Sequence, residues 1–384
     1  MSSLKTRALK CVVERNTLSI IRRFLVTCNI GNAAAVDNTS FPLTADIFQK
    51  TRLGRSDIFS AEKERQRKLI TKINKIEVNV VGPTPKLSSK LMMNKSISTP
   101  VDCALHVNES LTKYPALALV NNKPWDMNRP LEEDCQLKYL FYTDADPKLA
   151  NQAYWRSCSF ILGYILEIAF KENFRVLLHS WPSSNFHSGS FVYDSNINVG
   201  DWSPSNAELK SMSRVPTSDL RTKNLRFEPL SVDASVAEKI FESNQFKLEQ
   251  IKLIARNNNK VPLYRLGDHV DISKGPMIAH TGQLGIYSLT AMHKYESDFG
   301  PLVRFQGVSV PFTQFVNSWT WEVTCRAAKN MQYVGYFVGS VEDCSFFCSS
   351  GKEEDCSFFC SSGKDFRAGD QTPCALAYVT HASP

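Results

Sequence analysis

The chain has no run of about twenty apolar residues, the length a helix needs to cross a bilayer, so no membrane-spanning helix is expected. The nearest approach is AYWRSCSFILGYILEIAF at residues 153–170, which Arg156 and Glu167 interrupt; a buried helix is expected there. Cysteines at disulfide spacing are also lacking. Of eleven cysteines five follow residue 340, and the first 340 residues show no disulfide framework. Cys103, Cys135 and Cys158 are therefore expected as small buried apolar residues in a reducing compartment. A strong excess of one charge is missing too. The net charge is +7 and the pI about 8.8, which permits a polyanionic partner without specifying one. The composition is ordinary for a globular protein, 43% hydrophobic and 22% charged. That excludes a mostly disordered chain, and 384 residues allow two or three domains.

Acids are scarce at the start. Residues 1–36 carry six basic residues, Lys5, Arg7, Lys10, Arg15, Arg22 and Arg23, against Glu14 alone. Read as a helix, Leu18, Ile21 and Leu25 share one side. Such a segment reads as a mitochondrial transit peptide; a secretory signal would need an unbroken apolar run, and Arg22-Arg23 break the only candidate. Residues 37–74 read as a basic linker and helix. Residues 50–75 hold nine Lys or Arg against three acids, and a helix is expected to start at Ser56 or Ser60. From charge alone this is a solvated surface helix. If it meets RNA, the candidate phosphate contacts are Arg52, Arg55, Lys63, Arg65, Arg67, Lys68 and Lys72.

From residue 75 the pattern changes. Lys75–Val80 alternates as a half-buried strand, and Gly82-Pro83 turns it. Ser98 or Thr99 can cap a helix with Pro100 at its first position. Ala116–Val120 reads as a short buried strand, Asn121-Asn122 as its turn, and Cys135–Phe141 as a closing strand. On STPVDCA, ALALVNNKPWDM and PLEEDCQLKYL, residues 75–142 resemble a TGS domain, the ubiquitin-like β-grasp module of threonyl-tRNA synthetases. His106 has no metal-binding neighbour at suitable spacing and reads as a surface or satisfied histidine.

Asp146-Pro147 should open a long helix, with Asp as cap and Pro in the first turn, running to about Phe170. Residues 147–311 resemble the second additional domain of threonyl- and alanyl-tRNA synthetases, the editing domain, on WRSCSFILGYIL, GSFVYD and DISKGPM. That family places metal-binding His at both ends of H-S-x-A-H, and Cys and His within D-x-C-x-G-P-H. Two His at i and i+4 lie one helical turn apart and reach one ion. The four positions are here Arg156, Phe160, Ser273 and Met277, while Asp271 and Gly275-Pro276 persist. Arg and Phe offer zinc no lone pair, and Ser and Met are poor ligands. The resemblance thus implies an α+β fold, a β-grasp domain followed by an editing-type domain, with metal binding and deacylation lost. No catalytic residue, cofactor or small-molecule substrate is expected. The 73 residues after residue 311 cannot hold a class II synthetase core.

SDIFSAEKERQ, MNKSISTP, ALALVNNKPWDM, AYWRSC, GDHVDISKGP and RFQGVSVP, in that order over residues 56–311, resemble the family of mitochondrial large-subunit ribosomal proteins numbered thirty-nine. The resemblance implies a non-enzymatic ribosomal constituent in the mitochondrial matrix. Its implied partners are large-subunit rRNA and neighbouring ribosomal proteins. Two other readings stay open. One is a trans-editing enzyme in which Ser273, His269 or His280 takes a new role; the other is a tRNA-binding relative acting off the ribosome. Residues 312–384 read as a variable, partly disordered tail. Within it EDCSFFCSSGK occurs at 342–352 and again at 354–364, a duplication whose Cys344, Cys348, Cys356 and Cys360 have C-x₃-C spacing. Duplication alone accounts for that pairing, and a zinc site is the weaker alternative.

Overall fold

The computed structural model describes residues 45–82, 84–170, 174–180, 190–256 and 259–330. The expected transit segment 1–36 and the duplicated motif at 342–364 fall outside them.

The first domain is a five-stranded mixed sheet in the order β2-β1-β5-β3-β4. Its strands are β1 (Lys75–Val81), β2 (Ser89–Asn94), β3 (Leu117–Val120), β4 (Lys123–Trp125) and β5 (Cys135–Leu140). The alternation read in β1 buries Ile76, Val78 and Val80. β1 runs parallel to β5 and antiparallel to β2. β2 and β4 had no clear signal in the sequence. Asn121 and Asn122 both have positive φ, 49° and 63°, in a two-residue turn between β3 and β4. That turn's twist matches the flanking strands, and Asn tolerates it. Helix α2 (Pro100–Val107) covers the sheet. The Thr99 hydroxyl oxygen accepts from the Asp102 amide and the Asp102 carboxylate accepts from the Thr99 amide, a capping box with Pro100 just inside it. Cys103 and Cys135 lie in this core and Cys158 in the larger one; all three are buried and free, as read.

The second domain is built around helix α3 (Lys148–Ala169), in which fourteen residues are buried. With so much of its surface covered it packs on several sides. Pro147, not Asp146, takes the N-cap position; the Asp146 carboxylate accepts from the Lys148 amide at 3.2 Å. On one side α3 lies against a four-stranded antiparallel sheet in the order β11-β12-β7-β6: β6 (Val176–Ser180), β7 (Phe191–Ile197), β11 (Leu284–Ser297) and β12 (Gly300–Pro311). Gly163 makes this approach possible, since a Cβ there would stand 2.7 Å from the Tyr193 ring. On the other side Phe160 meets Tyr264 and His269, from the smaller sheet β10-β9-β8: β8 (Glu228–Asp233), β9 (Lys260–Leu266) and β10 (His269–Ile272). Helices α4 (Asn206–Arg214), α5 (Ala234–Ile240) and α6 (Gln245–Ile254) complete the body.

The domains are joined by buried contacts. Ala116, Leu117, Leu140 and Tyr142 of the first belong to the main core of the second, and Ala279 of the second to the core of the first. Gln283 donates to the carbonyls of Lys113 and Pro115 and accepts from Tyr142 Oη.

Two boundaries differ from the sequence reading. The basic helix α1 is already helical at Ala45 and runs to Lys68, so neither Ser56 nor Ser60 begins it. The folded body continues past residue 311. Helix α7 (Ser318–Ala327) is tied to β11 and β12 by Thr290 and Gln306, whose side chains donate to the Ala328 carbonyl at 2.8 and 2.6 Å.

Candidate functional site

Of the four positions that the resemblance assigns to a metal site, Arg156 and Phe160 lie on α3 and Ser273 and Met277 on the loop after β10. Arg156 and Ser157 meet that loop at Pro276, Met277 and Ile278. Each of the four is engaged otherwise. Arg156 Nη1 donates to the Pro276 carbonyl at 2.8 Å, and burial pulls its guanidinium pKa downward. Phe160 is fully buried against Phe227, Tyr264 and His269. Ser273 Oγ accepts from the Gly275 amide at 3.2 Å. Met277 is fully buried, its sulfur 3.5 Å from Ser157 Oγ. Among the described residues no group of three His, Cys, Asp or Glu could hold a metal ion.

The retained turn serves packing. Gly275 has φ +66°, and a Cβ there would overlap the Tyr264 hydroxyl, so glycine is required on both counts. That hydroxyl donates to Asp126, from the loop after β4, and the Met277 amide donates to Asp126 at 2.8 Å. The first domain thus supplies the carboxylate that fixes the loop after β10. Burial raises the Asp126 carboxyl pKa despite these donors.

A second buried network lies behind Phe160, and α1 completes it. Arg55 reaches Glu167 of α3 at 2.5 Å, and the other Glu167 oxygen lies 2.6 Å from His269 Nδ1. Asp271, fully buried, accepts from Tyr193 Oη, from the Ile272 amide at 2.7 Å and from Lys247 at 2.6 Å. Burial alone would raise the Glu167 carboxyl; Arg55 and His269 outweigh it and hold the group well below the usual carboxylate range. Glu167 had a signal in the sequence: a single acid in an otherwise apolar helix requires a buried partner. Which partner could not be read, since Arg55 lies 112 residues away.

The network bears on the candidate RNA-contacting residues. Phe59 of α1 is fully buried in a cluster with Val232, Ile240 and Val261. Arg52 pairs with Asp268 at 2.8 Å and Arg55 with Glu167, both largely covered. Lys63 pairs with Glu228, and Arg65 with Glu62 and Asp233. Arg67, Lys68 and Lys72 are exposed and hold no ion pair among the described residues. So α1 is anchored by one face, and its cations without an ion pair among the described residues, Arg67 and Lys68, lie at its C-terminal end, with Lys72 just beyond.

His269 is fully buried and tied to Glu167, and burial lowers the pKa of His280 at the domain junction. Neither stands in an open cleft beside Ser273. His106 is exposed on α2.

The TGS domain family matches residues 89–140. The chain is 42% identical over 261 residues to the large ribosomal subunit protein mL39 of Drosophila melanogaster, covering 67% of this chain and 78% of that protein. It is 27% identical over 254 residues to the human cytoplasmic threonine–tRNA ligase 2, and 28% identical over 244 residues to ligase 1. The chain spans only 29% and 31% of those ligases' lengths. The chain belongs to the family of the large ribosomal subunit protein mL39.

Proposed function

We propose that the chain is a non-catalytic constituent of the mitochondrial large ribosomal subunit, working in the matrix in contact with rRNA and neighbouring ribosomal proteins. The observation that carries this is the 42% identity to mL39 along most of both chains. The pocket agrees with it. Arg156, Phe160, Ser273 and Met277, the positions where the resemblance expects metal ligands, are packed or bonded within the protein, and the nearby carboxylates Asp126, Glu167 and Asp271 are all engaged by protein donors. On this reading the chain is not an enzyme; the ligase-like scaffold has been kept for its shape. Arg67 and Lys68 at the C-terminal end of α1 and Lys72 just beyond it are proposed phosphate contacts, whereas Arg52, Arg55, Lys63 and Arg65 first serve internal pairs. Residues 1–36 are proposed to direct import.

Gradient fractionation of mitochondrial lysate in moderate salt tests the reading. The chain should travel with the large subunit; recovery only near the top of the gradient would refute it. Gel shifts with tRNA and with rRNA fragments separate it from a tRNA-binding protein acting off the ribosome.

A further inference from the structure

A second basic face lies on the helical segment between β7 and β8, and none of the pairing that occupies α1 occurs there. We propose that Lys210, Arg214, Arg221, Lys223 and Arg226 form a surface that grips the phosphate backbone of folded RNA. That the anion is RNA rests on the ribosomal reading above.

From Asn206 to Lys223 the chain is helical throughout: α4, a wider π-type turn at Val215–Leu220, and a last turn at Arg221–Lys223. The widening has a local cause. Pro216 has no amide hydrogen to donate, and the hydroxyls of Thr217 and Ser218 bond the carbonyls of Ser213 and Arg214 instead. Leu209, Met212, Pro216 and Leu220 are buried, and Lys210, Arg214, Ser218 and Arg221 are exposed. Those two sets, spaced three and four apart, are the inner and outer faces of one helix. Lys210 and Arg221 lie almost three helical turns apart along the segment, enough to follow several phosphates.

The row is uncompensated. Between Leu209 and Phe227 the sole acid is Asp219, which is half-buried with Ser218 Oγ 3.4 Å from its carboxylate. Glu208 just before it is held at the helix start by the amide and hydroxyl of Ser205, both at 2.7 Å. None of the five cations forms an ion pair among the described residues. Lys210, Arg214 and Arg221 are like charges along one face, with Lys223 and Arg226 exposed at the end of the same segment; they repel each other, and a polyanion relieves this while releasing its counterions.

The row is also rigidly mounted. Asn224 makes a left-handed turn at φ 48°, after which Arg226 pairs through its backbone with His280. Next to it Asn128 of the first domain donates to the Phe227 carbonyl at 3.0 Å. No aromatic residue occurs from Leu209 to Arg226, so the segment itself supplies no aromatic platform for bases. Its long cationic side chains suit phosphate oxygens, the contacts that position a protein on RNA.

The test measures binding of the full chain to folded large-subunit rRNA fragments across a salt series, with polyglutamate as a second ligand. Each lost phosphate contact flattens the log–log salt dependence by roughly 0.7–0.9. The triple variant Lys210→Gln/Arg214→Gln/Arg221→Gln should flatten it by about 2 to 3 and weaken binding at least about tenfold, at an unchanged melting temperature. Arg67→Gln/Lys68→Gln serves as a comparison on a different face. A wild-type salt dependence in the triple variant overturns the proposal, and so does polyglutamate binding as tightly as RNA, which would assign the row to an acidic protein. If the wild-type chain binds no RNA fragment the proposal also fails, while co-sedimentation with the large subunit decides separately whether the ribosomal reading survives.

Discussion

At the scale of the residue, Arg156, Ser273 and Met277 are each held by hydrogen bonds within the protein, and Phe160 by ring packing. These four positions could be read from two short motifs, because motif spacing is local. The buried groups around them could not. Asp126 meets Tyr264 and Met277, Glu167 meets Arg55 and His269, and Lys247 meets Asp271, each from distant parts of the chain, and no local pattern marks them as neighbours. Glu167 is the most informative of them. Its ordinary pKa is about 4.3, and its folded value lies well below that. Its stabilisation is therefore complete above about pH 5 and fades as pH falls through 4 and below. Glu167→Gln should cost about 3 kcal/mol at neutral pH, because Arg55 would lose its charge partner. The melting-temperature gap between wild type and variant should narrow below about pH 4; a gap constant from pH 7 to 3 would contradict the pairing. Chelator treatment of the wild-type chain should leave its melting temperature unchanged, since no described cluster calls for a metal.

At the scale of the element, α1 shows how a charge run can mislead. Its basic residues suggest a face given over to solvent or RNA, and the reading does not register that Phe59 and Arg55 point inward. The partners Asp268, Glu167 and Glu228 follow by 216, 112 and 165 residues, beyond the reach of any periodicity. The helix therefore has two kinds of cation. Arg55→Ala should destabilise the fold by about 3–5 kcal/mol, because it strands a buried carboxylate. Arg67→Ala should stay within about 0.5 kcal/mol, as exposed substitutions do. Urea denaturation distinguishes the two; equal effects would mean that α1 is not anchored as described. A double-mutant cycle of Arg55→Ala with Glu167→Ala should give a coupling above about 1 kcal/mol. By contrast, β1, the α2 cap, the Asn-Asn turn and α3 were legible, because capping, turn chemistry and alternation are local. β2 and β4 were not. Only Met93 of β2 is buried, and β4 is a three-residue edge strand with none buried, so neither leaves an alternating apolar pattern.

At the scale of the molecule, the two domains form one body. Tyr142 with Gln283, Asp126 with Tyr264, and Asn128 with the Phe227 and Ala279 carbonyls are satisfied only across the junction. Calorimetry should therefore show one unfolding transition, since neither domain can leave without exposing the other's buried polar groups. Asp126→Ala removes the acceptor shared by Tyr264 and Met277 and should lower the melting temperature of the whole chain. Two separate transitions in the wild type would show the domains to be independent.

The insertion of Arg55 beneath Glu167 also limits where the chain can be trimmed. The residue that closes the core lies only ten positions after the start of α1, whereas the groups it closes lie at 167 and 269. Removing residues up to Arg52 would leave Asp268 without its cation, and removing residues up to Arg55 would leave a buried carboxylate without its own. On the import reading proposed above, cleavage is therefore expected before residue 52, and the helix cannot lock until the chain as far as β10 is in place.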